Sequence, residues 1–276
     1  MFESLPQFLV PEEDLPRLAR ALRRAIITMS YQSKSAHIGS ALCLADILAV
    51  LFGRLMQVRP KEPEWPERDR FILSKGHGAA ALYAALAWRG FFPAADLLTY
   101  CQDGGKLHGH PCRHAAPGIE TSTGSLGHGL GVAAGMALGL RGRSPGRIYV
   151  LVGDGECNEG AIWEAAMFIA SHRLTSITVI IDDNKWQGFG KTSAVQQMDL
   201  AAMWTAFGWS VARVDGHNPR ALEAALRAAP GSNQPVAIIA DTIAGKGIKA
   251  VENTLLAHYI VLDEANYRQA MDDLKD

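Results

Sequence analysis

Two oxygen-bearing side chains stand directly after apolar runs that are typical of neighbouring strands. Asp154 follows the apolar run 148–152, and Asn184 comes shortly after the run 177–181. A right-handed β-α-β crossover places the carboxyl ends of two such strands at one edge of a sheet. Open α/β sheets bind ligands at that edge. Carboxylate and amide oxygens, together with backbone carbonyls, are ligands suited to Mg²⁺ or Ca²⁺.

The charge of Asp154 indicates what such a metal would hold. A diphosphate near this carboxylate is repelled by about 4 kcal/mol per charge pair at about 4 Å and an effective dielectric of about 20. A Mg²⁺ ion between the two groups makes the electrostatic interaction favourable. Asp154 and Asn184 together therefore predict a metal site that holds a diphosphate. The alternative is that Asp154 only forms a turn and caps a helix.

Two other phosphate-binding motifs are excluded by spacing. A GxGxxG motif that uses Gly153 and Gly155 requires a third glycine at position 158, where Asn158 stands. A P-loop is excluded because no Lys-Ser or Lys-Thr pair follows the required glycines.

Six of the nine histidines lie between positions 37 and 128, most of them beside a glycine. His77 stands between two glycines at a predicted helix start, where backbone N–H groups favour a phosphate; a capping role is the alternative. The i, i+2 pair His108 and His110 is compatible with zinc, but no cysteine or histidine partners stand at zinc-finger spacing. The remaining histidines are less informative. His37, taken alone, is typical of a surface position. We interpret His172 and His217 as structural, and we assign no role to His114 and His128.

The elements that must position these residues alternate along the chain. Apolar strands are predicted at 71–73, 148–152, 177–181, 210–214 and 236–240, and helices at 15–30, 44–57, 79–88, 126–140, 158–172, 199–207, 219–229 and 263–274. Residues 101–125 are rich in Gly, His and Pro and predict an irregular functional loop. We expect one α/β domain over 1–276, with a mostly parallel sheet, helices on both faces and an N-terminal helical segment over about 1–60.

Composition narrows the class of partner. The 276 residues include 27 Lys or Arg and 28 Asp or Glu, so the net charge of -1 argues against an electrostatic nucleic-acid binder. No run of about 18 uninterrupted apolar residues predicts a membrane span. The first twenty residues carry acids and prolines where a signal peptide needs an apolar run. The four cysteines form no CxxC pair. We therefore expect a cytoplasmic protein with reduced thiols and without nucleic-acid or membrane partners.

The motifs taken together resemble a known family. Gly153-Asp154-Gly155, then 28 residues and Asn184, is similar to the thiamine diphosphate signature. Segments 35–39 (SAHIG) and 73–78 (LSKGHG) resemble the first and second histidine motifs of transketolases. Further matches to the family lie at 109–111, 120–127, 156–160, 163–165 and 245–247 with His258. These matches run in the family's order. The chain resembles the N-terminal, diphosphate-binding half, as found in two-component transketolases.

The resemblance implies a role for particular residues. Asp154, Asn184 and the backbone carbonyl of Trp186 would hold Mg²⁺, with Ca²⁺ or Mn²⁺ as substitutes. The cofactor thiamine diphosphate would be bound by His77, Gly124, Ser125, Leu126, Gly155, Glu159, Asn184 and His258. Of these, Glu159 would lie at a subunit interface and help to connect active sites. The catalytic residues lining the substrate channel would be His37, His77, His110 and His258.

The resemblance also implies an activity and a partner. The activity would be transfer of a two-carbon ketol unit from a ketose donor, either a sugar phosphate or another ketose, to an aldose acceptor. The glutamate that activates the aminopyrimidine ring, and the arginines that bind substrate phosphate, come in the family from a pyrimidine-binding half. We therefore expect a separate C-terminal subunit, an α2β2 assembly and no activity from this chain alone. The alternatives are another thiamine diphosphate transferase of a specialised sugar pathway, a Mg²⁺-dependent phosphoryl-transfer enzyme and a silent regulatory subunit.

Three positions depart from the family pattern. Trp186 stands where relatives often have a smaller aliphatic residue, His128 replaces a common glutamine, and Ala257 precedes His258 where two-component relatives often have tryptophan. These differences leave cofactor binding expected and leave the sugar substrate open.

Overall fold

The central element of the structure, a computed structural model that describes residues 10–275, is a five-stranded parallel sheet. Its strand order is β1-β2-β3-β7-β6, and the strands are β1 (Arg70–Leu73), β2 (Ile148–Gly153), β3 (Ile177–Asp183), β6 (Ser210–Asp215) and β7 (Val236–Asp241). A separate antiparallel hairpin contains β4 (Trp186–Gln187) and β5 (Gly190–Lys191). The predicted helical segment 1–60 and domain 1–276 extend beyond the described residues at their ends.

Helices cover both faces of the sheet. They are α1 (Leu15–Ser33), α2 (Ile38–Leu42), α3 (Ala45–Val50), α4 (Ala79–Arg89), α5 (His128–Leu140), α6 (Gly160–Ser171), α7 (Thr192–Val195), α8 (Leu200–Ala206), α9 (Pro219–Ala228), α10 (Leu256–Tyr259) and α11 (Glu264–Asp273). Along β2, Leu151 belongs to the buried cluster that includes residues of α1, α3, α4 and α9, whereas Val150 and Val152 belong to the cluster that includes residues of α5, α6 and α8. This alternation confirms the predicted α/β fold with a buried parallel sheet.

Local backbone geometry changes several predicted helix boundaries. The predicted helix 44–57 is two pieces, α3 and a π-helical turn at Leu51–Leu55. The predicted helix 126–140 begins two residues later because Gly127 has a left-handed φ of 83°. The helix predicted from 158 begins at Gly160, since a 3-10 turn covers Gly155–Asn158 and Glu159 is extended. The hairpin of β4 and β5 was not predicted, because two-residue strands carry no periodic signal.

One helical segment in the described part of the chain has the length and hydropathy of a membrane span. It is Ile38–Leu55, 18 residues with a mean hydropathy of 1.8, and 89% of it is buried inside the fold. Ser40, Asp46 and Arg54 interrupt its apolar run. Its apolar surface is therefore accounted for by packing against α1 and α4.

Candidate active site

A cavity of about 500 Å³ opens at the carboxyl ends of the sheet strands. It brings together most of the residues that the sequence singled out: His37, His77, His110, Gly124, Leu126, Asp154, Gly155, Glu159, Asn184, Trp186 and His258. Ser125 lines a neighbouring cavity with Gly124 and His128. His108 and His114 are exposed and line neither cavity. The sequence motifs therefore converge at one place in the fold.

Asp154 lies at one corner of this cavity because β2 and β3 are parallel neighbours, with Gly153 opposite Asp182. The Asp154 carboxylate is 2% exposed and accepts hydrogen bonds from the Lys185 N–H at 3.1 Å and the Thr192 hydroxyl at 2.6 Å. Burial, with the nearby Asp182 and Asp183 carboxylates, raises the pKa of Asp154 to about 6. A nearby cation would offset this concentration of negative charge.

The second part of this corner is the turn that follows β3. The Asn184 side-chain oxygen accepts the Trp186 N–H at 2.9 Å, and Lys185 between them has a left-handed φ of 69°. The Trp186 indole donates to the Asn253 side chain at 2.8 Å. Within residues 10–275, no group of three or more His, Cys, Asp or Glu is placed to hold a metal. The candidate ligands are therefore one carboxylate, one amide and one backbone carbonyl, a set suited to Mg²⁺ or Ca²⁺.

Beneath Asn184 lies a buried ion pair that the sequence analysis missed. The Lys75 ammonium is 2.5 Å from the Asp182 carboxylate, and their side chains are 2% and 0% exposed. Although burial alone would raise it, the Lys75 charge holds the pKa of Asp182 below its usual value. Asp182 also accepts from the Asn184 amide nitrogen at 2.7 Å, which turns the amide oxygen of Asn184 towards the Trp186 N–H. The sequence signal for this ion pair is the lysine inside the 73–78 motif, but Asp182 lies 107 residues further along the chain.

Asp154, Asn184 and Trp186 together form the metal corner of the cavity. Three of the predicted histidines form a cluster beside it. The ring centroids of His37 and His258 are 4.9 Å apart, those of His37 and His77 are 5.7 Å apart, and those of His77 and His258 are 5.9 Å apart. The His37 N–H donates to the His258 carbonyl at 3.1 Å. A Cβ on Gly39 would lie 2.5 Å from the Ala257 carbonyl oxygen, so only glycine allows α10 to lie this close to α2. His110 stands at the exposed rim near Gly124.

The environment keeps this cluster neutral. Burial, Lys75 and the neighbouring histidines together lower the pKa of His77 to about 2, with burial as the largest cause. Burial, His37 and Lys75 lower the pKa of His258 to about 4. The pKa of His37 is also lowered, by burial and by His110. Neutral imidazoles can each donate and accept a hydrogen bond, which suits binding of hydroxyl groups and transfer of protons.

These shifts predict a loss of stability in acid. Because the folded pKa values of His77 and His258 lie below the unfolded value of 6.5, the unfolded chain binds protons first as the pH falls. The stabilisation is complete above about pH 6.5 and decreases as the pH falls, down to about pH 4 for His258 and about pH 2 for His77. We expect the imidazole NMR chemical shifts of both residues to stay at their neutral-form values from pH 8 to pH 5. We also expect His77→Asn to reduce the fall in melting temperature between pH 7 and pH 5. A His77 signal that titrates near pH 6.5 would contradict this interpretation.

The other histidines have separate environments. The imidazole of His217 contacts the Asp46 carboxylate at 2.7 Å and accepts the Ile243 N–H at 2.9 Å, so it ties the end of β7 to α3. His172 is exposed and stacks on Phe168. His128 is exposed at the start of α5.

The protein atoms around the cavity leave hydrogen-bonding capacity unused. Among the buried polar atoms without a partner in residues 10–275 are His37 Nδ1, Thr123 Oγ1, Asn158 Oδ1 and Gln187 Nε2. Three of these residues line the cavity, and Thr123 precedes Gly124. A Cβ on Gly155 would lie 2.8 Å from the Gln187 side-chain oxygen, so a larger residue there would require the Gln187 side chain to move. The residues present therefore fit a polar, phosphate-bearing ligand.

Comparisons with known proteins show the family of the chain. The sequence matches the family described as transketolase, thiamine diphosphate binding domain, over residues 16–274. It is similar to the 6-deoxy-6-sulfo-D-fructose transketolase subunit SqwG of Clostridium sp. strain MSTE9, with 40% identity over 95% of this chain and 96% of that protein. It is also similar to an apulose-4-phosphate transketolase subunit of Actinobacillus succinogenes, with 39% identity over 96% of this chain and 97% of that protein.

The fold is that of solved transketolases. The Campylobacter jejuni transketolase superposes with a TM-score of 0.90 and 31% identity over 95% of this chain and 43% of that chain. The Leishmania mexicana transketolase superposes with a TM-score of 0.89 and 30% identity over 94% of this chain and 41% of that chain. The chain thus spans about two fifths of the length of these structures, but nearly all of the two transketolase subunits named above. It belongs to the transketolase family and corresponds to the family's thiamine diphosphate-binding domain.

Proposed function

We propose that this chain is the N-terminal subunit of a two-component transketolase. With thiamine diphosphate, a divalent cation and a pyrimidine-binding partner subunit, it would transfer a two-carbon ketol unit from a ketose to an aldose. The observation that carries this proposal is the placement of three neutral histidines and the Asp154–Asn184 corner in one cavity.

Each group has a task in this proposal. Asp154, Asn184 and the Trp186 carbonyl would hold Mg²⁺, with His77, Gly155 and His258 against the diphosphate. Gly124, Ser125 and Leu126 would contact the aminopyrimidine. When bound, thiamine diphosphate would supply the carbanion chemistry that ketol transfer requires. The histidines bind sugar hydroxyls and exchange protons with the reacting oxygens, for which neutral imidazoles are suited.

The cavity mouth supports the need for a partner. Phe189 and Val195 line it with side chains that are 94% and 51% exposed, and Tyr259, 52% exposed, donates a hydrogen bond to the Gly188 carbonyl beside them. Apolar side chains exposed together around the mouth of a cavity are typical of a protein interface. We propose that the partner covers this rim and supplies the glutamate for the aminopyrimidine, in an α2β2 assembly.

The charge that recognises the sugar substrate is expected to come from outside this chain. The two similar transketolase subunits are named for 6-deoxy-6-sulfo-D-fructose and for apulose-4-phosphate, so the relatives differ in the anionic group of the sugar. Among the cavity-lining residues, Lys75 is the one cation other than histidine, and it is paired with Asp182. We propose that the partner supplies the charge that recognises a phosphate or related anion.

The proposal predicts that activity requires both chains. The purified chain alone should show no ketol transfer, and addition of the co-expressed partner should restore it. The measurement is aldose and ketose formation from a panel of ketose donors, with thiamine diphosphate and Mg²⁺ present. Ketol transfer by the pure chain would contradict the division of the active site. Inactivity of the complex on every ketose, with intact cofactor binding, would contradict the proposed reaction.

A further inference from the structure

The carboxylate of Glu156 is the meeting point of three separate segments. It is 3% exposed and accepts the Gly127 N–H at 2.8 Å and the Gly153 N–H at 3.0 Å. It also accepts the hydroxyl of Ser74, whose oxygen in turn accepts the Gly129 N–H at 3.1 Å. The end of β1, the end of β2 and the start of α5 are thus tied through one side chain.

The segments that Glu156 joins carry opposite ends of the proposed cofactor site. Gly153 directly precedes Asp154 at the metal corner. Gly127 directly follows residues 124–126, and its left-handed φ of 83° sets the direction of the chain there. At the other end of that stretch, the Thr123 N–H donates to the Pro111 carbonyl at 3.1 Å. Residues 124–126 are therefore held at both ends, and Glu156 provides the tie to β2.

The position of Glu156 requires a side chain that accepts hydrogen bonds and donates none. All three contacts bring N–H or O–H groups to the side chain, and an ionised carboxylate offers acceptors only. A glutamine has the same shape but would direct an N–H at one of the three donors. A smaller residue would leave two buried backbone N–H groups without a partner.

We propose that Glu156 is a positioning residue that sets the spacing between the diphosphate end and the aminopyrimidine end of the cofactor site. The inference rests on the proposed function. A ligand that spans both ends loses affinity when their spacing is loose, because binding must then order the segment. A ligand that reaches only the metal corner does not.

The test compares a ligand that spans both ends with one that reaches a single end. Thiamine diphosphate and inorganic pyrophosphate, each with Mg²⁺, are titrated calorimetrically into the full chain assembled with its partner. For Glu156→Gln we expect thiamine diphosphate to bind about tenfold more weakly, equivalent to about 1.4 kcal/mol, and pyrophosphate to bind within about twofold of the wild type. Hydrogen exchange of the Gly127 and Gly129 amides in the unliganded protein should become faster.

Glu223→Gln is the matched control. Glu223 is a buried carboxylate on α9 that binds Arg54 and Arg227 away from the cavity. This variant should lower the melting temperature without changing the ratio of the two affinities. Equal weakening of both ligands by Glu156→Gln, or unchanged amide exchange, would overturn the inference. A wild-type protein that binds pyrophosphate but no thiamine diphosphate would instead overturn the proposed function.

Discussion

Asp154→Ala is expected to abolish metal-dependent binding of thiamine diphosphate. Asp154 is the one carboxylate in the proposed ligand set, so the variant removes the negative charge that holds the cation against a diphosphate. An ion pair at about 4 Å and an effective dielectric of about 20 contributes about 4 kcal/mol, so a loss of at least about 100-fold in affinity is expected. A calorimetric titration of thiamine diphosphate into the wild type and the variant, with and without Mg²⁺, measures this loss of affinity.

Asp241→Asn is a matched control for that experiment. Asp241 stands at the same edge of the sheet, at the end of β7, but its carboxylate is 42% exposed and contacts Lys185 and Arg213. Exposed ion pairs contribute little, so binding should change by less than about threefold. Unchanged metal-dependent binding in Asp154→Ala would contradict the assigned metal site. Binding that needs no metal in the wild type would contradict the cation itself.

The second large effect is expected on stability. Asp182→Asn leaves the Lys75 ammonium buried without a counterion, which typically costs about 3–5 kcal/mol. The free energy of unfolding, measured by urea denaturation, should fall by about that amount. Because Asp182 also orients the Asn184 amide, affinity for Mg²⁺ and thiamine diphosphate should fall too, by about 10- to 100-fold.

The double variant Lys75→Met with Asp182→Asn separates the charge from the packing. With both charges gone, no unpaired ion remains, so the double variant should be more stable than Asp182→Asn. The exposed pair of Glu264 and Arg268 on α11 offers a comparison. Its variant Glu264→Gln should change stability by less than about 0.5 kcal/mol. A cost below about 1 kcal/mol for Asp182→Asn would contradict the importance of the buried pair.

Much of the fold could be predicted because its signals are local. Five apolar strands alternate with helices, and each strand was placed to within about three residues, since parallel strands buried on both faces are apolar at every position. The helix starts were less accurate. They depend on single backbone conformations, such as the positive φ of Gly127, which periodicity does not report.

The candidate site was predictable in its residues but less so in its supports. His37, His77, Asp154 and Asn184 belong to motifs with recognisable spacing, and the cavity contains all four. Lys75, Glu156 and Asp182 lie within or beside the same motifs and were assigned no role. Their importance comes from burial and from partners as many as 107 residues distant, which only the packed structure shows.

The hydrogen bond between the His37 N–H and the His258 carbonyl has a consequence for synthesis of the chain. His37 and His77 leave the ribosome early, whereas His258 follows β7, the last strand along the described residues. At about 5–20 residues per second, the 181 residues that separate His77 from His258 take roughly 10–40 s to translate. Once residue 186 has been made, the nascent chain contains the residues of the metal corner but still lacks the third histidine. A nascent chain that ends before His258 therefore does not present the complete histidine cluster.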